Sequence, residues 1–371
     1  MGFIHNSGTM SNCAVFLPTM FTNYLIFLAL NTGIFALFSL GLNLQWGVTG
    51  LINFGHVAFM TIGAYTTVLL TLQGVPWFWA MTVGTLLAGV LAIILGLTTL
   101  RLREDYLAIV TIGTSELVRL IALNEQWLTR GALGLFSYPL PWQGTWSRWP
   151  AILLWTVFFG ISMRQLCYAM RIPIWFKRWL IVGVGILLLI IYLAGLTTLY
   201  QGDYKVRLLV LLAGVLLGTF LLLEQLSHSP WGRLLKAIRE DEIAAQALGK
   251  NVFIYKLHSL ILGGMIGGIS GAFYAWQLTF INPESFVPLI TFQAWMIVII
   301  GSGGNHAGTL LGALIFWAYD SLTRFLLPAL IPLDGSRMGA LRVMIIGLLL
   351  ILVLVWRPQG LLGKKAELTL N

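Results

Sequence analysis

Residues 77–100 read WFWAMTVGTLLAGVLAIILGLTTL, 24 residues without a charged side chain. A helix rises about 1.5 Å per residue, so this stretch crosses the roughly 30 Å hydrocarbon core of a bilayer while satisfying its own backbone polar groups. Runs of the same kind recur at 22–46, 55–73, 106–124, 150–170, 179–200, 206–228, 257–280, 287–303, 308–328 and 340–356. They predict an all-α polytopic membrane protein with about 10–11 transmembrane helices in a single domain, residues 1–371. The Gly-rich boundaries at 47–56 and 301–308 read either as surface loops or as re-entrant bends.

Composition removes other classes. The chain is 58% hydrophobic and 9% charged, whereas soluble domains carry roughly 25% charged residues. Its +9 net charge is spread singly along the chain, with no dense basic run and interleaved aromatics, so no nucleic acid partner is expected. Cys13 and Cys167 form neither a CxxC pair nor a disulfide framework. No His, Cys or acidic residues are spaced for a metal, and no cofactor is expected. GSGGNHAG and GKKAEL lack the GxxxxGK[ST] phosphate loop, and no nucleophile, base and oxyanion set is recognisable, so the chain is expected to be non-enzymatic. The first 21 residues hold no basic residue and no small-residue cleavage site, and the first hydrophobic helix is expected to stay.

Charge asymmetry sets the sidedness. With 229–256 inside, the inner loops and the tail from Arg357 hold 13 Lys and Arg residues, outer segments hold four (Arg130, Arg148, Lys205, Arg337), and five lie in spans. The positive-inside rule then predicts a cytoplasmic C-terminus, including a tail at 357–371, and an N-terminus on the opposite side.

The segment 229–256 is a polar island, holding eight charged residues in 28 positions. Ser229-Pro230 is a helix start, and Trp231, Leu234, Leu235 and Ile238 follow at helical spacing. Glu240-Asp241-Glu242 suits the first turn of a second helix, which Gly249 closes. A helix this short is marginal alone in water. Either it is a solvated connector, or its small face, Ala244, Ala245 and Ala247, docks against something.

Several residues stand out within the spans. Glu116 must be compensated, since an acid at a helix centre costs about 2.5–3.5 kcal/mol on insertion. Arg119 at i+3 can neutralise it, or it can belong to a translocation path together with Thr111 and Ser115, beside Gly113 and Thr114. Asp320 and Arg324 read as a pair near a helix end. GVTGLINFGH reads as a broken helix exposing backbone beside a cavity, with Asn53, Gly55 and His56 as path candidates; His56 can equally cap the next helix or bond a neighbouring carbonyl. Gly263, Gly267 and Gly271 form a small-residue face for close helix packing, within the chain or against a partner.

The segment AIREDEIAAQALGKNVFIYKL (237–257) closely resembles the cytoplasmic loop of M-type permease subunits in ABC importers for branched-chain and other neutral amino acids. GLNLQWGVTGLINFGHVAFMTIGAY (41–65), EDYLAIVTIGTSELVRLI (104–121), GGISGAFYAWQLTFINPESF (267–286), VIIGSGGNHAGTLLGA (298–313) and RPQGLLG (357–363) resemble the family's blocks in the family's order. Two features depart from it: an apparent inserted helical hairpin at 150–200, and RGALGLF (130–136) in place of a Gly-Pro-Asn-Gly-type outer turn. The resemblance implies the ABC importer permease fold in a bacterial plasma membrane, with the N-terminus periplasmic. Implied partners are two cytosolic ABC ATPases, a second and non-identical permease, a periplasmic substrate-binding protein, and the surrounding lipid. It also implies that 229–256 is the coupling loop, with Arg239, Glu240, Asp241, Glu242, Ala244, Ala245 and Gly249 at the ATPase contact. Urea or short amides are the alternative cargo within that family. An ion-coupled secondary transporter is the alternative class, although it would call for acids on several spans. A membrane scaffold fits least.

Overall fold

The computed structural model describes residues 8–100, 104–143, 204–330, 335–356 and 360–363, with short pieces of 149–160 and 193–200. The expected hairpin at 150–200, those pieces apart, and the tail beyond Gly363 lie outside the described residues. In chain order the helices are α1 (Gly8–Asn43), α2 (Val57–Leu72), α3 (Trp77–Thr99), α4 (Glu104–Asn124), α5 (Tyr204–His228), α6 (Pro230–Glu240), α7 (Glu242–Ala247), α8 (Val252–Leu278), α9 (Leu289–Gly301), α10 (His306–Leu330) and α11 (Gly335–Trp356). A π-helical segment, Leu44–Val48, continues α1.

Among the described residues, seven helical stretches are long and apolar enough to cross a membrane: Thr22–Val48, Trp77–Thr99, Tyr106–Asn124, Tyr204–His228, Val252–Leu278, Pro283–Gly301 and His306–Pro328. The protein is thus an all-α polytopic membrane protein, as its apolar runs predict. The run at 55–73 yields only the 16 residues of α2, about 24 Å of helix. Its first residues are spent on an irregular approach.

The chain divides into two compact units, one of Met1–Asn31 and Gly144–Leu211, the other of Thr32–Gln143 and Leu212–Asn371. The second unit contains every candidate residue named above. At its centre α8 packs on both α2 and α3. Lipid offers no hydrophobic push between helices, so backbones must approach closely enough for dispersion to act. Glycine permits that here. A Cβ on Gly271 would stand 2.0 Å from the Met60 carbonyl oxygen, one on Gly63 2.1 Å from that of Gly268, and one on Gly263 2.6 Å from that of Gly41. The small-residue face of α8 therefore packs within this chain.

At one end of this unit, the connection after α4 meets the connection after α8. Two-residue strands β1 (Leu135–Phe136) and β2 (Phe280–Ile281) pair antiparallel, with Leu135 opposite Ile281. The Tyr138 hydroxyl donates to the Ala275 carbonyl, and the Arg130 guanidinium lies 5.7 Å from the Phe136 ring centroid. The RGALGLF stretch is thus held to α8. Elsewhere residues 360–363 fold onto the turn after α9: Leu361 N donates to Ile300 O at 3.0 Å, and Asn305 Nδ2 donates to Leu362 O at 3.2 Å.

Candidate functional site

The first long span breaks within the stretch that carries Gly47, Gly50 and Gly55. After the π-helical Leu44–Val48 the chain turns at Gly50, whose φ of +82° falls in the left-handed region that glycine adopts freely. It then runs irregularly to α2. A broken helix inside a bilayer leaves backbone groups without partners, and each must be satisfied by protein or water. Polar side chains from four helices do this. Thr49 Oγ1 donates to Leu44 O at 3.0 Å and shares a 2.7 Å hydrogen bond with Ser259 of α8. Gln45 Nε2 donates to Leu260 O at 3.1 Å. Phe54 N donates to Thr111 of α4 at 3.2 Å, and Val57 N to Thr291 of α9 at 2.9 Å. Trp295 Nε1 donates to Asn53 O at 3.1 Å.

Asn53 is the hub of the break. Its Nδ2 donates to Gln45 Oε1 at 2.9 Å, and its Oδ1 accepts from Gly55 N at 2.9 Å. A Cβ on Gly55 would stand 1.8 Å from Thr111 O, so only glycine fits against α4 here. Thr111 and Ser115 are buried, and each donates to a carbonyl of its own helix, Ala108 O at 2.9 Å and Ile112 O at 2.8 Å. His56 takes the N-cap position of α2 without a side-chain capping bond. Its ring is fully buried between Phe38 (4.6 Å) and Phe59 (5.5 Å). Gly267 makes room for it, since a Cβ there would stand 3.2 Å from His56 Nε2. Asn53, Gly55, His56 and Thr111 thus gather around one break, while Ser115 lies buried one turn further along α4 from Thr111.

Glu116 belongs to a different set. Arg119 Nε meets both its carboxylate oxygens, at 3.1 and 3.0 Å, while Arg119 Nη1 reaches Glu284 Oε1 at 2.9 Å. The bridge therefore ties α4 to the 3-10 turn Pro283–Phe286 that precedes α9. Glu284 escaped the sequence reading, being 165 residues away in a segment with no pattern of its own. Asp320 and Arg324 pair at 2.9 Å, as their spacing predicts.

Three more residues join the break from elsewhere. Asn43 Nδ2 lies 3.1 Å from His306 Nδ1, Asn43 Oδ1 accepts from Gly304 N at 2.8 Å, and Ser227 Oγ lies 2.7 Å from His306 Nε2. Sequence reasoning passed over Asn43, Ser227 and His306; their signal was a polar residue inside or beside an apolar run, which must find a partner.

The polar island folds as two capped helices. Ser229 accepts from Gly232 N at 3.3 Å at the start of α6. Asp241 leaves helical geometry and accepts from Ala244 N at 2.9 Å, so it ends α6 and caps α7. Gly249 closes the loop at φ +74°. Successive helix positions are about 100° apart, and the expected small-residue face divides accordingly. Ala245 turns inward into a small core with Ile238 and Val252, flanked by Leu234 and Tyr255, whereas Ala244 is exposed. Ile243 and Leu248 on the same loop are each 79% exposed. Glu242 pairs with Lys256 at 2.5 Å. Glu240 is exposed, but Arg239 points inward, and its Nη1 donates to the Gly47 carbonyl.

Comparison with known proteins agrees with this architecture. Residues 24–354 match the family model described as branched-chain amino acid transport system, permease component. The chain is 30% identical over 351 residues to the high-affinity branched-chain amino acid transport system permease protein LivM of Escherichia coli K12, covering 94% of this chain and 72% of that one. It is 25% identical to the probable branched-chain amino acid transport permease protein LivM of Methanocaldococcus jannaschii, covering 91% and 92%. It is also 25% identical to the nucleoside ABC transporter permease protein NupC of Lactococcus lactis, covering 74% and 73%. No solved structure matches. With nearly its whole length matched, the chain belongs to the family of branched-chain amino acid transport system permease components.

Proposed function

We propose that this permease subunit carries branched-chain or related neutral amino acids as part of an ATP-driven importer. Its partners are two cytosolic ATPases, a second and different permease, and a periplasmic binding protein. The chain sits in a bacterial plasma membrane with 229–256 and the C-terminus in the cytosol and the N-terminus in the periplasm. Solute passes beside the break that holds Asn53, Gly55, His56 and Thr111, and beside Ser115. The observation that carries this reading is the loop α6–α7. It has its own caps and core yet presents Ile243 and Leu248 almost wholly to solvent. Two large apolar side chains on a charged loop mark a surface that another protein covers.

The test is purification of the chain with its neighbouring gene products, followed by uptake of labelled leucine or valine into proteoliposomes given ATP and the binding protein. ATP-dependent uptake is expected. Absence of both an associated ATPase and uptake would sink the importer reading. The similarity to the Lactococcus protein named as a nucleoside permease favours nucleosides as a second cargo, and labelled uridine in the same assay separates the two.

A further inference from the structure

The docking loop and the broken span meet at one side chain. Arg239 is the penultimate residue of α6, and its guanidinium donates to the carbonyl of Gly47, 192 positions away, inside the π-helical segment. Its stem lies along the turn that ends that segment: a Cβ on Gly50 would stand 3.1 Å from Arg239 Cγ. A third strand of chain closes the junction. A Cβ on Gly47 would stand 2.2 Å from Gly304 N, and one on Gly304 would stand 3.1 Å from Arg239 Nη1. The left-handed turns at Gly50 and Gly304, with φ of +82° and +85°, leave the space in which the guanidinium reaches the backbone.

π-helical insertions are rare, occur mostly as single turns within α-helices, and are frequent at functional sites. The carbonyl that Arg239 engages belongs to such an insertion, immediately before the irregular stretch that carries Asn53 and Gly55. We infer that Arg239 is a positioning residue of transport: it holds the break of the first span to the docking loop, so that movement of the loop is passed to the break. This rests on the importer reading above and assigns Arg239 a role inside the permease instead of at the ATPase surface. The chemistry suits arginine. Its planar guanidinium is a fork of donors, and a charge-assisted bond to a carbonyl is shorter and stronger than a neutral one.

The experiment uses the complete complex in proteoliposomes, comparing the parent with Arg239→Met and Arg239→Lys. Methionine keeps the apolar stem beside Gly50 and removes the donor; lysine keeps a charged donor. ATP hydrolysis, uptake and ATPase copurification are measured together. Arg239→Met should stay assembled and hydrolyse ATP, yet solute moved per ATP should fall by about twofold to thirtyfold, the span usual for residues on a coupling route. Arg239→Lys should recover part of that loss. A second reading follows Ile52→Cys in a background lacking Cys13 and Cys167, with thiol labelling measured with and without nucleotide. Labelling should depend on nucleotide in the parent and lose that dependence with Arg239→Met. Loss of the ATPase from the complex, a proportional fall of hydrolysis and uptake, equal loss with methionine and lysine, or nucleotide-dependent labelling that survives Arg239→Met overturns the proposal. A parent complex inactive in uptake sinks the importer reading as well; an active parent with normal Arg239→Met transport sinks only the role of Arg239.

Discussion

Glu116 shows how a single residue's meaning depends on partners that spacing does not disclose. Arg119 alone would make a local pair, and removing Glu116 would then strand a cation in the span. Glu284 changes that expectation, because Arg119 keeps a second carboxylate at 2.9 Å. Glu284 is 63% exposed on its side chain, and an exposed pair contributes about 0.2–1 kcal/mol. Glu116→Gln by itself should therefore reduce thermal stability in detergent only modestly. Glu116→Gln/Glu284→Gln should reduce it by more than the sum of the single changes, because only the double variant leaves Arg119 unpaired. The check is a double-mutant cycle on the melting midpoint, with uptake measured alongside. Strict additivity would deny the three-residue bridge. If Glu116→Gln stops uptake while stability holds, the carboxylate acts on solute directly.

At the scale of elements, the α6–α7 loop separates what holds it together from what it offers. Ala245 is packed against Ile238 and Val252, so Ala245→Arg must push a charge into a closed contact; overpacking alone costs about 1–3 kcal/mol. Ala244 faces solvent beside Ile243 and Leu248. Ala244→Arg, or Ile243→Ala with Leu248→Ala, should leave the loop folded and weaken ATPase association. Limited proteolysis between Ser229 and Asn251, paired with a pull-down of the ATPase, distinguishes the two classes. Ala245→Arg should increase cleavage; the others should change only the pull-down. Unchanged association in Ile243→Ala/Leu248→Ala would reduce the loop to a connector. Asp241 deserves comparison with both, since it ends one helix and caps the next, and loss of such a cap costs about 0.5–2 kcal/mol.

For the whole molecule, the proposed orientation rests on charge. It assigns 13 Lys and Arg residues to the inner side against four outside, the asymmetry that the positive-inside rule expects if the α6–α7 loop is cytosolic. In a background lacking Cys13 and Cys167, a cysteine at the exposed Lys250 should be shielded from an impermeant thiol reagent in intact cells. One at the exposed Leu133 should react. Labelling at Lys250 from outside would invert the topology and remove the docking argument with it.

Whatever depends on neighbours along the chain was legible in the residues alone. Among the described residues apolar length marked the seven long spans, though also the 16-residue α2; Ser229-Pro230 and Gly249 bounded the loop's helices, and the glycines between Gly47 and Gly55 marked the break. These signals are local because hydrophobic transfer, capping and backbone freedom are settled within a few residues. The sequence also showed that Glu116, Asn53 and His56 needed accommodation, since a polar group in the membrane must be paired or covered. It could not say by what. Only the tertiary structure joined Asn43 to His306 across 263 positions, Arg239 to Gly47 across 192, and Arg119 to Glu284 across 165. A hydrogen bond is specified by distance and direction in space, and helix packing brings together residues whose separation along the chain carries no trace of that meeting.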